Sequence, residues 1–130
     1  MSLPRFRELS VKVLKMNPKI RSVLAFFDAN LHRQIRVAEV TELSGLSHSR
    51  LDHLFKAEVG QSPTQYLQEL RLKKARQLLE TTSMKITQVG LAVGYQDHSH
   101  FFRNFKARFG MTPSEYRTER LVRRLDADAD

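Results

Sequence analysis

Read for apolar spacing, the chain falls into helices. Ile20, Val23, Leu24, Phe27 and Leu31 stand at i, i+3, i+4, i+7 and i+11, the stripe by which an amphipathic helix of about four turns buries one face. Asn17-Pro18 ahead of them supplies an N-cap and a residue whose ring presets the first helical φ. A short second helix is predicted over about Val37 to Leu43, packing through Val37 and Val40, and Gly45 can take the positive φ that ends it. Ser47 caps a third helix, which buries Leu51, Leu54, Phe55 and Val59 and leaves His48, Ser49, Asp52, His53 and Lys56 on its polar face. Ser62-Pro63 repeats the cap-and-proline device and opens a long helix to about Glu80. At ~100° per residue its Leu67, Leu70, Leu72, Ala75, Leu78 and Leu79 cover an arc of roughly 200°, too wide for a helix with one buried face. That helix is therefore predicted to pack on both sides and to connect two subdomains. Arg71 lies inside the arc and is expected to pair with a helix carboxylate or carbonyl. No period-2 alternation is long enough for a strand, and the fold class is all-α.

An internal repeat sets the architecture. Val37, Val40 and Gly45 match Ile86, Val89 and Gly94 at an offset of 49, while Leu51, Phe55, Lys56, Ala57, Gly60, Pro63 and Tyr66 match Phe101, Phe105, Lys106, Ala107, Gly110, Pro113 and Tyr116 at 50. One residue is inserted in the turn of the second copy. Each copy reads short helix, glycine turn, longer helix, cap-proline, helix. A short helix, a tight turn and a second helix with a polar, partly basic outer face is the layout of helix-turn-helix DNA binders. If the connector holds the two second helices ~34 Å apart, each can enter a successive major-groove turn on one face of DNA. The predicted organisation is an extension or linker remnant at 1–16, a first helix-turn-helix subdomain at 17–61, the connector at 62–80, a second subdomain at 81–120 and a tail at 121–130.

Charge supports this picture, and composition excludes others. The 130 residues carry 22 Lys plus Arg against 14 Asp plus Glu, a net +8, which favours a polyanion, with nucleic acid ahead of an anionic membrane surface. No apolar run approaches the ~18 residues of a membrane span. Without cysteine there is no disulfide framework, thiolate zinc site or cysteine nucleophile. His48, His53, His98 and His100 lie on the two outward helices, but residues two or five apart do not share a helix face, so a metal site is not expected. Asp97-His98-Ser99 fails as a hydrolytic triad for the same reason, since neighbouring helical side chains diverge by ~100°. No cofactor or enzymatic activity is predicted. Protonation of the histidines would add positive charge to both helices, and tighter DNA binding below neutrality is expected.

The second copy carries Val93-Gly-Tyr-Gln-Asp-His-Ser-His-Phe-Phe-Arg-Asn-Phe-Lys-Ala-Arg-Phe-Gly-Met-Thr-Pro-Ser-Glu-Tyr-Arg117. Its Gly-aromatic step, Phe-x-Arg-x-Phe-Lys and Phe-Gly-x-Thr-Pro-x-x-Tyr-Arg resemble the signature of the AraC/XylS family of bacterial transcription regulators. The resemblance covers about Pro18 to Arg117. It implies recognition helices at about Ser47 to Val59 and Asp97 to Phe109, with base-reading positions at Ser49, Asp52 and His53 in the first and His98, Ser99 and Arg103 in the second. Arg103 can bond bidentately to guanine O6 and N7. Asp52 repels phosphate, so either it accepts from a cytosine N4 or its copy makes weak base contacts, the reading we favour. Lys56 and Lys106 are placed to reach phosphate, as are the helix N-termini at Ser47, Asp97 and Thr112, where capping competes.

Thr41 and Gly90 stand where the family usually has alanine. Both are small, so packing is expected to survive, with Gly90 costing up to ~1 kcal/mol of helix propensity. Many family members carry a sensor domain upstream. The segment Pro4 to Met16 reads as an extra helix or the remnant of a linker to such a domain, and the fragment reading is favoured over a stand-alone small activator. Arg117, Arg120, Arg123 and Arg124 followed by Asp126, Asp128 and Asp130 read as a fraying helix and an acidic tail. The expected partners are double-stranded DNA and, by resemblance, RNA polymerase, with no membrane, a monomeric state and a bacterial cytoplasmic location. The alternative is a basic helical adaptor that binds a protein.

Overall fold

The computed structural model describes residues 15–129, so the segment predicted as an extension lies almost wholly outside the described residues. Among these there are seven α-helices and no strand: α1 (Pro18–Ala29), α2 (Val37–Ser44), α3 (His48–Val59), α4 (Pro63–Thr81), α5 (Ile86–Ala92), α6 (His98–Phe109) and α7 (Pro113–Ala129). The caps are where the sequence puts them. Asn17 Oδ1 accepts from the Lys19 N–H at 2.8 Å, and Ser62 Oγ accepts from Gln65 while Gln65 returns a side-chain oxygen to the Ser62 N–H, a reciprocal capping box. Gly45, at φ 69°, ends α2.

The described residues form two compact units: those up to Asn30 with Ile35–Tyr66, and Leu31–Gln34 with those from Leu67 onward. In the first, Ile20, Val23 and Phe27 of α1, Val40 of α2 and Leu51 and Phe55 of α3 are buried, and the Phe55 ring meets Tyr66 edge-on at 5.7 Å and 71°. In the second, Leu72, Ala75 and Leu79 of α4 bury against Val89, Val93, Tyr95, Phe101 and Phe105. There Phe105 meets Tyr116 at 5.8 Å and 74°. The repeated Phe and Tyr thus make one aromatic contact twice. Burying each such ring contributes roughly 2–3 kcal/mol.

Several expectations are corrected. Leu31 does not extend α1: the helix stops at Ala29, the Asn30 N–H turns back to Phe27 O at 3.2 Å, and Arg71 captures the carbonyls beyond. Arg71 Nε donates to Leu31 O at 3.3 Å and Nη2 to Arg33 O at 2.7 Å, so its partners are loop carbonyls and not a helix group. Leu31–Gln34 belong to the second unit together with Arg71. Val37 does not pack, being 52% exposed. It starts α2 one turn before Val40, ahead of the stretch that buries.

The tail is also different. α7 runs unbroken to Ala129, and Arg117 donates to the Leu79 carbonyl in the last turn of α4 and to the Thr82 and Met84 carbonyls in the loop between α4 and α5. Each repeat copy therefore has the loop before its short helix held by an arginine from a later helix, Arg71 in one and Arg117 in the other. Arg120 pairs with Glu80 at 3.5 Å and Arg123 with Glu119 at 2.6 Å. The side chains of Leu121, Val122 and Leu125 are exposed.

Gly90 is more than a tolerated small residue. A Cβ there would lie 2.8 Å from Phe101 Cδ2, on a ring that is fully buried. Gly90→Ala should gain up to ~1 kcal/mol of helix propensity and lose about 1–3 kcal/mol by overpacking. A net destabilisation of about 1 kcal/mol is expected in urea unfolding. A stabilised variant would mean that the Phe101 ring gives way.

Candidate nucleic-acid interface

On a helix, residues three and four apart share a face. Ser49, Asp52, His53 and Lys56 form such a stripe on α3, turned away from buried Leu51 and Phe55, and all four are exposed. Ser99, Phe102, Arg103 and Lys106 form the equivalent stripe on α6, opposite buried Phe101 and Phe105. The polar outward face is a consequence of the core: once two apolar side chains one turn apart point inward, the residues between them point out. Among the described residues, Ser49, His53, Lys56, Arg103 and Lys106 have no side-chain hydrogen-bond or ion-pair partner. Their donors and charges are available to a ligand.

Asp52, His98, Ser47, Asp97 and Thr112 are engaged, whereas Ser99 uses only its backbone N–H. Asp52 Oδ2 lies 3.4 Å from His48 Nε2 across one turn, both side chains more than half exposed. Its carboxylate is therefore countered whenever His48 is protonated. Ser47 Oγ accepts from the Arg50 N–H at 3.2 Å, and Asp97 Oδ1 accepts from Ser99 and His100 at 2.8 and 3.4 Å. Thr112 Oγ1 accepts from the Glu115 N–H at 3.1 Å and donates to the Glu115 carboxylate at 2.9 Å. These three side chains cap helices, and at Asp97 a carboxylate already occupies the positive end of α6, where a phosphate would be repelled. His98 sits edge-to-face on Phe102, ring centres 4.4 Å apart, and His100 on Tyr95 at 5.6 Å.

Not every outward base is free. Arg108 grips Glu69 with Nε at 2.9 and 2.7 Å from the two oxygens and Nη2 at 2.7 Å, and its guanidinium lies 5.0 Å over Phe109. Arg76 covers the same ring at 4.9 Å. The Arg108 hydrogen bond, with the nearby positive charges of Lys73 and Arg76, holds the Glu69 carboxyl below its ordinary value against the opposing effect of burial. A depressed carboxylate stabilises the fold above its unfolded pKa, and that contribution disappears as pH falls through the folded value. Between pH 6 and pH 3 the wild type should therefore lose more stability than Glu69→Gln, measured by urea midpoints. Equal losses would leave the pair without a role in acid stability.

Phe102 is not among the predicted readers, although the repeat offset of 50 places it at the position of Asp52. An aromatic residue beside core Phe101 reads as core by composition, and only its angular position separates the two. Among the described residues no three His, Cys, Asp or Glu side chains group to hold a metal ion, and no helix is long and apolar enough to cross a membrane.

Comparison with known proteins agrees with this geometry. Residues 32–119 match the helix-turn-helix domain family. The chain is similar to the HTH-type transcriptional regulator ArgR of Pseudomonas aeruginosa, 35% identical over 104 residues, which are 80% of this chain and 32% of that protein. It spans about a third of the length of the curated relatives it matches. Among solved structures it is similar to a transcriptional regulator of the AraC-type DNA-binding domain-containing proteins from Chromobacterium violaceum, with a TM-score of 0.73, 37% identity, and 79% of this chain and 92% of that one covered. It is also similar to the DNA-binding domain of AdpA, solved in complex with a target DNA, with a TM-score of 0.79, 26% identity, and 83% and 97% covered. Outward stripes on repeated helices, the repeated packing beneath them and these matches lead to one conclusion: the chain belongs to the AraC-type helix-turn-helix DNA-binding domain family.

Proposed function

We propose that this chain binds double-stranded DNA in a sequence-specific way and regulates transcription, with α3 and α6 each entering the major groove. The family and fold are those of DNA-binding transcription regulators, not of enzymes. The observation that carries the reading is the pair of outward stripes whose donors lack partners among the described residues, at equivalent positions of the two copies. Ser49, His53, Ser99 and Arg103 are the base readers, Asp52 a weaker one because of its pairing with His48, and His98 acts at the edge of its stripe. Lys56 and Lys106 bind phosphate. Ser47 and Thr112 do so only through backbone N–H groups left over by capping, and Asp97 is the least suited of the three.

The copies would act on half-sites in successive major-groove turns, which lets one monomer read a bipartite operator. RNA polymerase is the further partner this role implies, and the bacterial cytoplasm is where it would be met. The test is selection from a random duplex library, followed by salt-titrated binding of the winner against scrambled DNA. Two short motifs about one helical turn apart are expected. Scrambled DNA bound equally well would leave a basic helical module and put a protein-binding adaptor first.

A further inference from the structure

We propose that Phe102 reads the C5-methyl group of a thymine in the half-site of α6; this rests on the major-groove reading above. The repeat carries the argument. In both copies a histidine opens the outward helix and touches the residue one turn on: His48 meets Asp52 at 3.4 Å, and His98 meets the Phe102 ring at 4.4 Å and 72°. The same brace thus holds a carboxylate in one copy and an apolar ring in the other. Phe102 is not core. It is half-buried, whereas its neighbours Phe101 and Phe105 are fully buried on the opposite face.

Of the groups the four base pairs present in the major groove, the thymine methyl is the apolar one. An apolar ring in the same stripe as Ser99, Arg103 and Lys106 finds there a matching surface that neither phosphate nor a base-edge donor provides. Contact with His98 restricts the ring before binding, which reduces the entropy lost on docking. The two helices then differ in chemistry as well as in sequence. A carboxylate suits an amino edge such as cytosine N4, and a phenyl ring suits a methyl.

Deoxyuridine lacks only that methyl. In the duplex selected from the library, each thymine of the half-site relaxed by Arg103→Ala would be replaced singly by deoxyuridine. For the wild type, one replacement should weaken binding roughly fourfold, the value of one buried methyl-sized group. Phe102→Ala should bind the thymine and deoxyuridine duplexes alike, and Phe102→Leu, which keeps an apolar body, should retain part of the difference. Circular dichroism and a thermal melt report whether each variant folds, and the wild-type comparison stands without them. Specific binding by wild type with equal affinity for every thymine and deoxyuridine pair, or a half-site containing no thymine, overturns the methyl assignment and leaves the DNA reading intact. A library that enriches no motif overturns both.

Discussion

Arg103→Ala should weaken binding to the selected operator by about 5- to 150-fold, the range of ~1–3 kcal/mol for a bidentate arginine-guanine pair. The fold should not register the change. Arg103 is exposed and has no partner among the described residues, so its truncation breaks no internal bond, and a surface change of this kind stays within about 0.5 kcal/mol. Salt separates the two ways an arginine can bind. A base reader leaves the slope of log affinity against log salt nearly unaltered, and specificity relaxes at one position. A phosphate contact lowers the slope by about 1 and weakens scrambled DNA as much as the operator. The second pattern would take Arg103 out of base reading. Arg108→Ala is the control. Its guanidinium is already held by Glu69 at 2.7 Å, so its loss should act on stability more than on DNA affinity.

Gly94→Ala should be the most destabilising small substitution in the second unit, by about 3 kcal/mol or more in urea or thermal unfolding. Two causes add. The residue has φ +98°, and a Cβ would stand 2.2 Å from Leu31 O and 2.8 Å from Arg71 Nε. Both atoms belong to the hydrogen bonds by which Arg71 holds the loop. Gln34 adds a bond of 3.2 Å from its side-chain N–H to the Gly94 carbonyl. Relieving the clash therefore breaks several contacts at once. The repeat provides its own reference in Gly45, at φ +69° with nothing within 4 Å of where a Cβ would stand. Gly45→Ala incurs only the conformational penalty, roughly 1–2 kcal/mol. A Gly94 variant that is no less stable than the Gly45 variant would show that the loop yields without loss.

Much of this protein was legible because its decisive signals are local. Cap-proline pairs start α1, α4 and α7 where Asn17-Pro18, Ser62-Pro63 and Thr112-Pro113 stand, since a proline lacks the N–H that the first turn leaves unpaired. The outward stripes of α3 and α6 follow from the spacing of Leu51, Phe55, Phe101 and Phe105, whose burial forces the intervening residues outward. The outward residues could thus be named from angles alone, while the resemblance to the family singled out the candidate readers among them. What could not be read was which of them were already occupied. His48 beside Asp52 and Asp97 on the α6 N–H groups are short-range pairings that sequence permits, but Arg108 on Glu69 joins residues 39 apart.

The sequence by itself determined the all-α class, the two copies and the stretches that form the helices, because helical periodicity, caps and turn glycines act within a few residues of one another. Only the tertiary structure decided that Arg71 and Arg117 hold loops, that Leu31–Gln34 pack with the second unit, that Gly90 and Gly94 leave room for a ring and a carbonyl, and that α7 continues to Ala129. Each of those depends on which atoms from distant parts of the chain meet. Such meetings are set by how the helices pack, and no periodicity along the chain encodes them.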